Sequence, residues 1–178
     1  MSLKEITKDL HTEAEKTNFA KLLLSGKISK ELYTNYLYQM IMAYGPVEFG
    51  CQMQGFFDAL PGVARMPGIY QDFVELAEVG THYTWLDETL DYNRYVLDLI
   101  NDPERKHLIK AHLYVRHMGD LYGGQYIAKT VPGSGKFYQF EDVDGLRSAI
   151  REELTDELGD EARVAFEWAI KIMNGLDE

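Results

Sequence analysis

The stretch RHMGDLYGGQ, residues 116–125, places three glycines within six positions of a segment that is otherwise helical by pattern. Each interior glycine costs roughly 1 kcal/mol of helix stability relative to alanine, so about 3 kcal/mol must be recovered elsewhere. Arg116, Gly119, Asp120 and Gly123 are spaced i, i+3, i+4 and i+7, and they therefore share one helical face. Either another helix packs closely against the glycines while Arg116 pairs with Asp120 at the surface, or a flat ligand lies against the bare backbone.

The segments around this stretch predict an all-α fold in one domain that spans residues 1–178. Only five prolines interrupt the chain, and apolar residues recur at helical spacing between them. The stripes of the first two helices are Leu3, Ile6, Leu10 and Ala14, then Tyr33, Leu37, Met40, Tyr44 and Val47.

Capping residues predict where the helices begin and end. Ser29 suits the N-cap of the second helix, and Gly26 suits the end of the helical stretch before it. The remaining predicted boundaries are a break near Gly80 within residues 69–100, a helix start at Asp102 and Pro103 with an end near Thr130, an N-cap at Asp142, and a division at Gly159.

Composition and charge exclude several classes of protein. The chain carries 18 Lys and Arg against 29 Asp and Glu, a formal net charge of −11, which disfavours nucleic acid and anionic membrane surfaces as partners. Cys51 is the only cysteine, so an intramolecular disulfide and zinc or iron–sulfur sites built from several thiolates are excluded. With no apolar signal segment and no long apolar run, we expect a soluble cytoplasmic protein without a membrane anchor, and a monomer.

His11 is the one histidine whose position suggests a ligand. It lies at the edge of the first apolar stripe, and Glu15, four residues on, can accept one imidazole N–H and leave the other ring nitrogen free. The alternative is a boundary histidine in a weak surface pair. The other four histidines form no trusted metal-binding spacing and are predicted to be solvated or structural.

Two segments together resemble the heme oxygenase family. LKEITKDLHTEAE (3–15) is similar to the family's proximal-helix pattern K-x-x-T-x-x-x-H-x-x-A-E, and AHLYVRHMGDLYGGQ (111–125) is similar to its distal-helix pattern Y-x-R-x-x-G-D-x-x-G-G-Q. Residues 19–48, which include Tyr44 and Glu48, also resemble the second helix of the family.

The resemblance implies that heme b, both substrate and cofactor, lies between a helix that carries His11 as the axial iron ligand and a kinked helix. On that second helix the backbone of Gly119, Gly123 and Gly124 adjoins the porphyrin. Glu15 then supports the ligand histidine.

The resemblance further implies oxidative cleavage of heme by O2 to biliverdin, with the IXα isomer favoured, carbon monoxide and ferrous iron. It assigns proton delivery through a water network to Asp120, with Tyr44 and Arg116 as further members. Lys4, Tyr114 and Arg147 match propionate contacts, and Arg151 is added from its i+4 spacing alone. Tyr122, Val115 and Val143 depart from the family pattern.

The implied electron donor is ferredoxin, and a bilin reductase is a candidate downstream partner. An acidic ferredoxin needs a basic patch, for which the candidates are Lys4, Lys8, Lys21, Arg147 and Arg151. Two alternatives remain open: a heme carrier or sensor without turnover, and a thiaminase-like or di-iron enzyme on a similar scaffold, for which the sequence offers no convincing ligand set.

Overall fold

Apolar stripes at helical spacing and few prolines give nine α-helices and no strand within residues 2–177, which the computed structural model describes. The predicted all-α class is therefore confirmed. The helices are α1 (Leu3–Ile6), α2 (Lys8–Lys16), α3 (Asn18–Ser25), α4 (Lys30–Met53), α5 (Met66–Leu76), α6 (Asp87–Asn101), α7 (Ile109–Ile127), α8 (Val143–Glu152) and α9 (Gly159–Gly175).

Several predicted helix ends are confirmed by their hydrogen bonds. The Ser29 hydroxyl accepts the Leu32 N–H at 3.1 Å at the start of α4, and Asp142 accepts the Gly145 N–H at 2.9 Å at the start of α8. Gly26 follows α3 in the left-handed conformation, with φ 68°. These local polar contacts satisfy backbone groups that a helix end leaves unpaired.

The first predicted helix is interrupted at Thr7. Its hydroxyl donates to the Leu3 carbonyl at 2.8 Å, and its backbone leaves helical geometry at φ −106° and ψ 5°. The result is two short helices, α1 and α2, that still bury Leu3, Leu10 and Ala14 on one side.

The predicted helix start at Asp102 is wrong. The Asp102 carboxylate accepts the N–H of Glu104 at 2.9 Å and so closes a turn rather than a helix. A single 3-10 turn at residues 106–108 follows, and α7 begins at Ile109, which is fully buried. The helix ends at Ile127, three residues before the predicted end.

Helix α7 lies at the centre of the molecule. It packs against α4, α8 and α9, and two apolar clusters meet along it. The larger cluster includes the predicted α4 stripe, all of which is buried. The smaller one joins α1, α2 and α9 to the first half of α7 through Leu10, Ala14, Val115 and Phe166. This packing places α2 and the first half of α7 on the same apolar cluster as α9.

Candidate functional site

An open strip of backbone lies in the middle of α7. Gly119 is exposed although its neighbours in the helix are buried, and a Cβ atom added there would meet nothing within 4 Å. A Cβ atom on Gly123 would meet only Ile127 Cδ1, at 3.6 Å. Neither glycine is therefore required by a neighbouring helix, which removes the interpretation that they admit close helix packing.

Gly124 differs from the other two glycines. A Cβ atom there would lie 3.0 Å from Tyr138 Cδ1 and 3.1 Å from Tyr138 Cβ, which is tighter than ordinary van der Waals contact. Gly124 therefore has a packing reason of its own, and its Cβ position faces Tyr138 rather than the open strip, so this geometry does not support the implied place of Gly124 beside the porphyrin.

Asp120 is buried next to this strip and is held by a tyrosine. The Tyr44 hydroxyl donates to Asp120 Oδ2 at 2.7 Å, so the structure brings together two of the predicted site residues from α4 and α7. Burial raises the pKa of Asp120 to about 6, against the opposing effects of His117 and the Tyr44 hydrogen bond. The carboxyl group can thus change its protonation state near neutral pH.

Arg116 does not form the surface ion pair with Asp120 that its i+4 spacing allows. Within the described residues its one hydrogen bond is from Nε to the Tyr92 hydroxyl, at 3.0 Å, and its guanidinium lies 4.4 Å from the Tyr92 ring centroid. Its Nη2 is buried without a hydrogen-bond partner. A donor of this kind inside a protein calls for a ligand or a water molecule.

A chain of buried polar groups that the sequence analysis missed continues from Tyr92. The Tyr92 hydroxyl is 2.9 Å from His112 Nδ1, and His112 Nε2 is 2.9 Å from Glu161 Oε1. Tyr95 also donates to that oxygen, at 2.6 Å. These residues come from α6, α7 and α9, so no spacing within one helix signals them.

Burial and hydrogen bonding set the charges of His112 and Glu161 in this series of hydrogen-bonded side chains. Burial lowers the pKa of His112 and favours its neutral form. Burial alone would raise the pKa of Glu161, but the hydrogen bonds from His112 and Tyr95 outweigh it and lower that pKa. This series of hydrogen-bonded side chains therefore combines a neutral imidazole, His112, with an ionised carboxylate, Glu161.

His117 and Glu48 form a second buried pair behind the site. His117 Nε2 lies 2.9 Å from Glu48 Oε1, and Glu48 also accepts the backbone N–H of Met66 at 3.2 Å and that of Arg65. Of the two predicted roles for His112 and His117, a solvated one is wrong, because both side chains are fully buried.

His11 lies on α2 with Glu15 beside it. His11 Nδ1 is 3.6 Å from Glu15 Oε1, which is longer than a hydrogen bond, and the ring meets Phe166 edge-on at 5.9 Å between centroids. The His11 side chain is 58% exposed. With Glu15 on the Nδ1 side, Nε2 remains available to a ligand.

Two of the candidate cations gather around Tyr122. The guanidinium groups of Arg147 and Arg151 lie 4.1 Å and 5.7 Å from its ring centroid, and Arg151 donates to its hydroxyl. Arg147 also donates to the Leu121 carbonyl at 2.6 Å and to Asp144 Oδ1 at 3.1 Å, and its buried Nε has no partner among residues 2–177.

The other two candidates for binding an anionic group are on α1 and α7. Tyr114 is half-buried and hydrogen-bonded with Thr7, and burial raises its pKa. Lys4 is exposed.

A cavity of about 590 Å³ lies elsewhere and contains none of the predicted site residues; its lining includes Arg65, Gln71, Gln125, Lys136 and Tyr138. Within the described part of the chain, no three His, Cys, Asp or Glu side chains are grouped to hold a metal ion. None of the helices described is at once long and apolar enough to cross a bilayer.

Comparison with known sequences gives one family. The family model described as heme oxygenase matches residues 1–174. Heme oxygenase 2 of Mus musculus is 29% identical over an alignment that covers 99% of this chain and 64% of the mouse protein. Heme oxygenase 1 of Synechocystis sp. is 27% identical, with 98% of this chain and 83% of the relative covered. The chain thus spans about 64% of the length of the mouse relative.

Solved structures agree on the fold. Heme oxygenase-1 from Synechocystis sp., crystallised in complex with heme, matches with a TM-score of 0.83 at 24% identity, covering 98% of this chain and 90% of that one. Heme oxygenase from Leptospira interrogans also matches with a TM-score of 0.83, at 23% identity, covering 98% and 99%.

Proposed function

The chain belongs to the heme oxygenase family, and from this premise we propose that it opens heme oxidatively to biliverdin, carbon monoxide and ferrous iron. O2 and an external electron donor supply the oxidant and the electrons. One observation carries the proposal: the open strip at Gly119 lies next to a buried carboxyl group, Asp120, whose pKa is raised to about 6.

The residues present fit heme b. A flat macrocycle needs bare backbone on one face, which Gly119 and Gly123 offer, because a Cβ on either would project into open space or touch only one methyl group. On the other face an iron ligand is needed, and His11 has a free Nε2 with Glu15 near its Nδ1. The unpartnered Nη2 of Arg116 supplies a donor for a water molecule on the distal side.

When bound, heme supplies the iron at which O2 reacts and the porphyrin carbon that is oxidised. The task of the protein side chains is to bring protons to that reaction. Asp120 can hold a proton on its carboxyl group and release it near neutral pH, and the Tyr44 hydroxyl fixes Oδ2 by donating to it. Arg116 orients water through Nη2. Gly119 and Gly123 keep side chains out of this space.

The propionates need cations at the rim of an acidic protein. We assign this role to Lys4, Tyr114, Arg147 and Arg151. The clustering of both arginines at Tyr122, together with the unpartnered Nε of Arg147, supports a local positive patch on this side of α7.

Further parts of the proposal concern partners and product. Ferredoxin is the proposed electron donor, and a bilin reductase is the proposed downstream partner. We propose that the protein functions as a monomer in the cytoplasm. The IXα isomer is the proposed product. The exposure of Lys4, Lys8 and Lys21 supports a docking site for an acidic donor.

The proposed function is tested by turnover of the heme-loaded protein with O2 and either ferredoxin with its reductase or an artificial reductant. We expect loss of the heme absorption bands, biliverdin on extraction, and one carbon monoxide per heme. Intact heme after exposure to both donors would contradict the proposal and favour a carrier or sensor. Failure to bind heme at all would favour another enzyme on this scaffold.

A further inference from the structure

Arg116 and Asp120 are the nearest possible partners on α7, yet they do not pair. An arginine and an aspartate at i and i+4 can reach each other, and the Coulomb attraction between opposite charges is stronger in a buried site than at the surface. Instead Arg116 donates to Tyr92 and Asp120 accepts from Tyr44. Something must therefore hold the guanidinium away from the carboxylate.

The directions of the hydrogen bonds identify what holds it. Glu161 is an acceptor, so His112 Nε2 carries the proton of that contact. The neutral imidazole then has a bare Nδ1, which accepts from the Tyr92 hydroxyl. The Tyr92 oxygen in turn has a lone pair for Arg116 Nε–H. Every donor along the chain thus points from Arg116 towards Glu161.

Charge balance favours the same arrangement. Glu161 is a buried carboxylate and Arg116 a buried cation, and the two groups between them, Tyr92 and His112, are neutral. The far carboxylate therefore stabilises the guanidinium through an oriented chain of dipoles. Arg116 has this second counter-charge and does not need Asp120.

We propose that Tyr92, His112 and Glu161 act as positioning residues that hold Arg116 away from Asp120 and so leave the Asp120 carboxyl free to take up and release a proton. The inference rests on the proposed catalytic role of Asp120. It is tested on the heme-free protein, so its failure is distinct from a failure of the protein to turn over heme.

The test must account for every group that acts on Asp120. These groups come from α4, from the residue before α5, from α7 and from the turn at residues 136–138; they are Tyr33, Tyr36, Tyr44, Arg65, Arg116, His117 and Tyr138. Only Arg116 among them is bound to Tyr92. A substitution at Tyr92 therefore changes the surroundings of Asp120 through Arg116.

The experiment is a pH titration of aspartate side-chain carbons by NMR, with the Asp120 signal assigned through Asp120→Asn. Tyr92→Phe removes one hydroxyl and no charge. We expect the pKa of Asp120 to fall by at least about one unit in this variant, because Arg116 loses its acceptor and turns to the carboxylate. In Arg116→Gln the same Tyr92→Phe change should have no effect, which a double-mutant cycle measures.

Glu161→Gln tests the last acceptor in the hydrogen-bonded series that begins at Arg116. It replaces Tyr92→Phe if that variant does not fold. We expect the pKa of Asp120 to fall in Glu161→Gln as well, because Arg116 loses its second counter-charge. Glu153→Gln is the matched control, since it removes a carboxylate from an ion pair with Lys110, also on α7, and should leave Asp120 unchanged. An unaltered pKa of Asp120 in Tyr92→Phe, or a fall that persists in Arg116→Gln, would overturn the proposal. If Tyr92→Phe does not fold, an unaltered pKa in Glu161→Gln would do the same.

Discussion

At the scale of single residues, the environment of Asp120 destabilises its charged form, which suits this carboxyl group to the proton delivery that we propose for it. The carboxyl group is buried, and the Tyr44 hydroxyl donates to it. Burial raises its pKa from about 3.8 to about 6. A carboxylic acid adjusted in this way can act as a proton donor at the pH of a cell.

The raised pKa has a consequence for stability. Because the folded protein binds this proton more tightly than the unfolded chain, the stabilisation is complete below pH 4 and is lost as the pH rises through 6. Asp120→Asn stays neutral throughout. The heme-free variant should therefore gain stability over the wild type between pH 4 and 7, by up to about 3 kcal/mol, in urea unfolding. A stability difference that does not depend on pH would contradict the raised pKa.

His11 offers a second prediction at this scale. Replacing His11 with alanine should change the absorption spectrum of the heme complex and weaken heme binding at least about ten-fold, a loss of about 1.4 kcal/mol, because the iron loses its ligand. His107 is also exposed and serves as the matched control. An unchanged spectrum in His11→Ala, or an equal change in His107→Ala, would refute the assignment.

The sequence predicts which residues share one face of α7 but not which residues they bond to. The face shared by Arg116, Gly119 and Asp120 follows from helical spacing, and Tyr44 came from family resemblance. The acceptor of Arg116 is Tyr92, 24 residues away on α6. A contact of that kind depends on how α6 and α7 pack, and no periodicity within either helix reveals it.

At the scale of the element, α7 combines two kinds of glycine. Gly119 is surrounded by open space, so its cost to the helix is not recovered by packing in the heme-free protein. Gly124 is needed by the Tyr138 side chain. The two glycines therefore have different roles: Gly119 leaves space open beside the helix, and Gly124 makes room for Tyr138.

This contrast gives a prediction from paired variants. Gly119→Leu should make the heme-free protein about 1 kcal/mol more stable in denaturant unfolding, because leucine favours a helix and its Cβ has open space around it. The same variant should bind heme at least about ten-fold more weakly, because its side chain fills the strip.

Gly124→Ala should behave in the opposite way. Its Cβ would crowd Tyr138, which should lower stability by about 1 kcal/mol while heme affinity is retained. Equal heme affinities of Gly119→Leu and the wild type in a spectroscopic titration would remove the strip from the binding site.

Helix boundaries were predictable where a local cap decides them and not elsewhere. Ser29 and Asp142 each cap the helix that follows. Asp102 carries the same kind of signal but uses its carboxylate to close a turn, and α7 begins seven residues later at a buried isoleucine. Tertiary burial there outweighs the local signal.

At the scale of the whole molecule, the charge of −11 makes the position of the exposed cations important. Lys4, Lys8 and Lys21 are exposed on α1, α2 and α3. An acidic electron donor is repelled by an acidic surface and attracted to exposed cations such as these. The same cations lie in the segment that carries His11.

Electron transfer from ferredoxin, the donor that we propose, should therefore depend on ionic strength. We expect its rate to fall about ten-fold between low and high salt in stopped-flow reduction, because screening weakens the attraction. Lys8→Glu should slow the reaction at low salt. Lys30→Glu is the matched charge reversal, because Lys30, at the start of α4, forms an ion pair with Glu78 at 2.9 Å. A reduction rate that changes neither with salt concentration nor in Lys8→Glu would rule out this docking site.

In the function that we propose, heme lies between α2 and the open strip of α7. A crystal structure of the ferric heme complex measures this most directly. We expect Nε2 of His11 to coordinate the iron and the porphyrin to lie against the backbone of Gly119 and Gly123. Iron bound by any other residue, or a porphyrin seated in the cavity near Gln71 and Gln125, would contradict it.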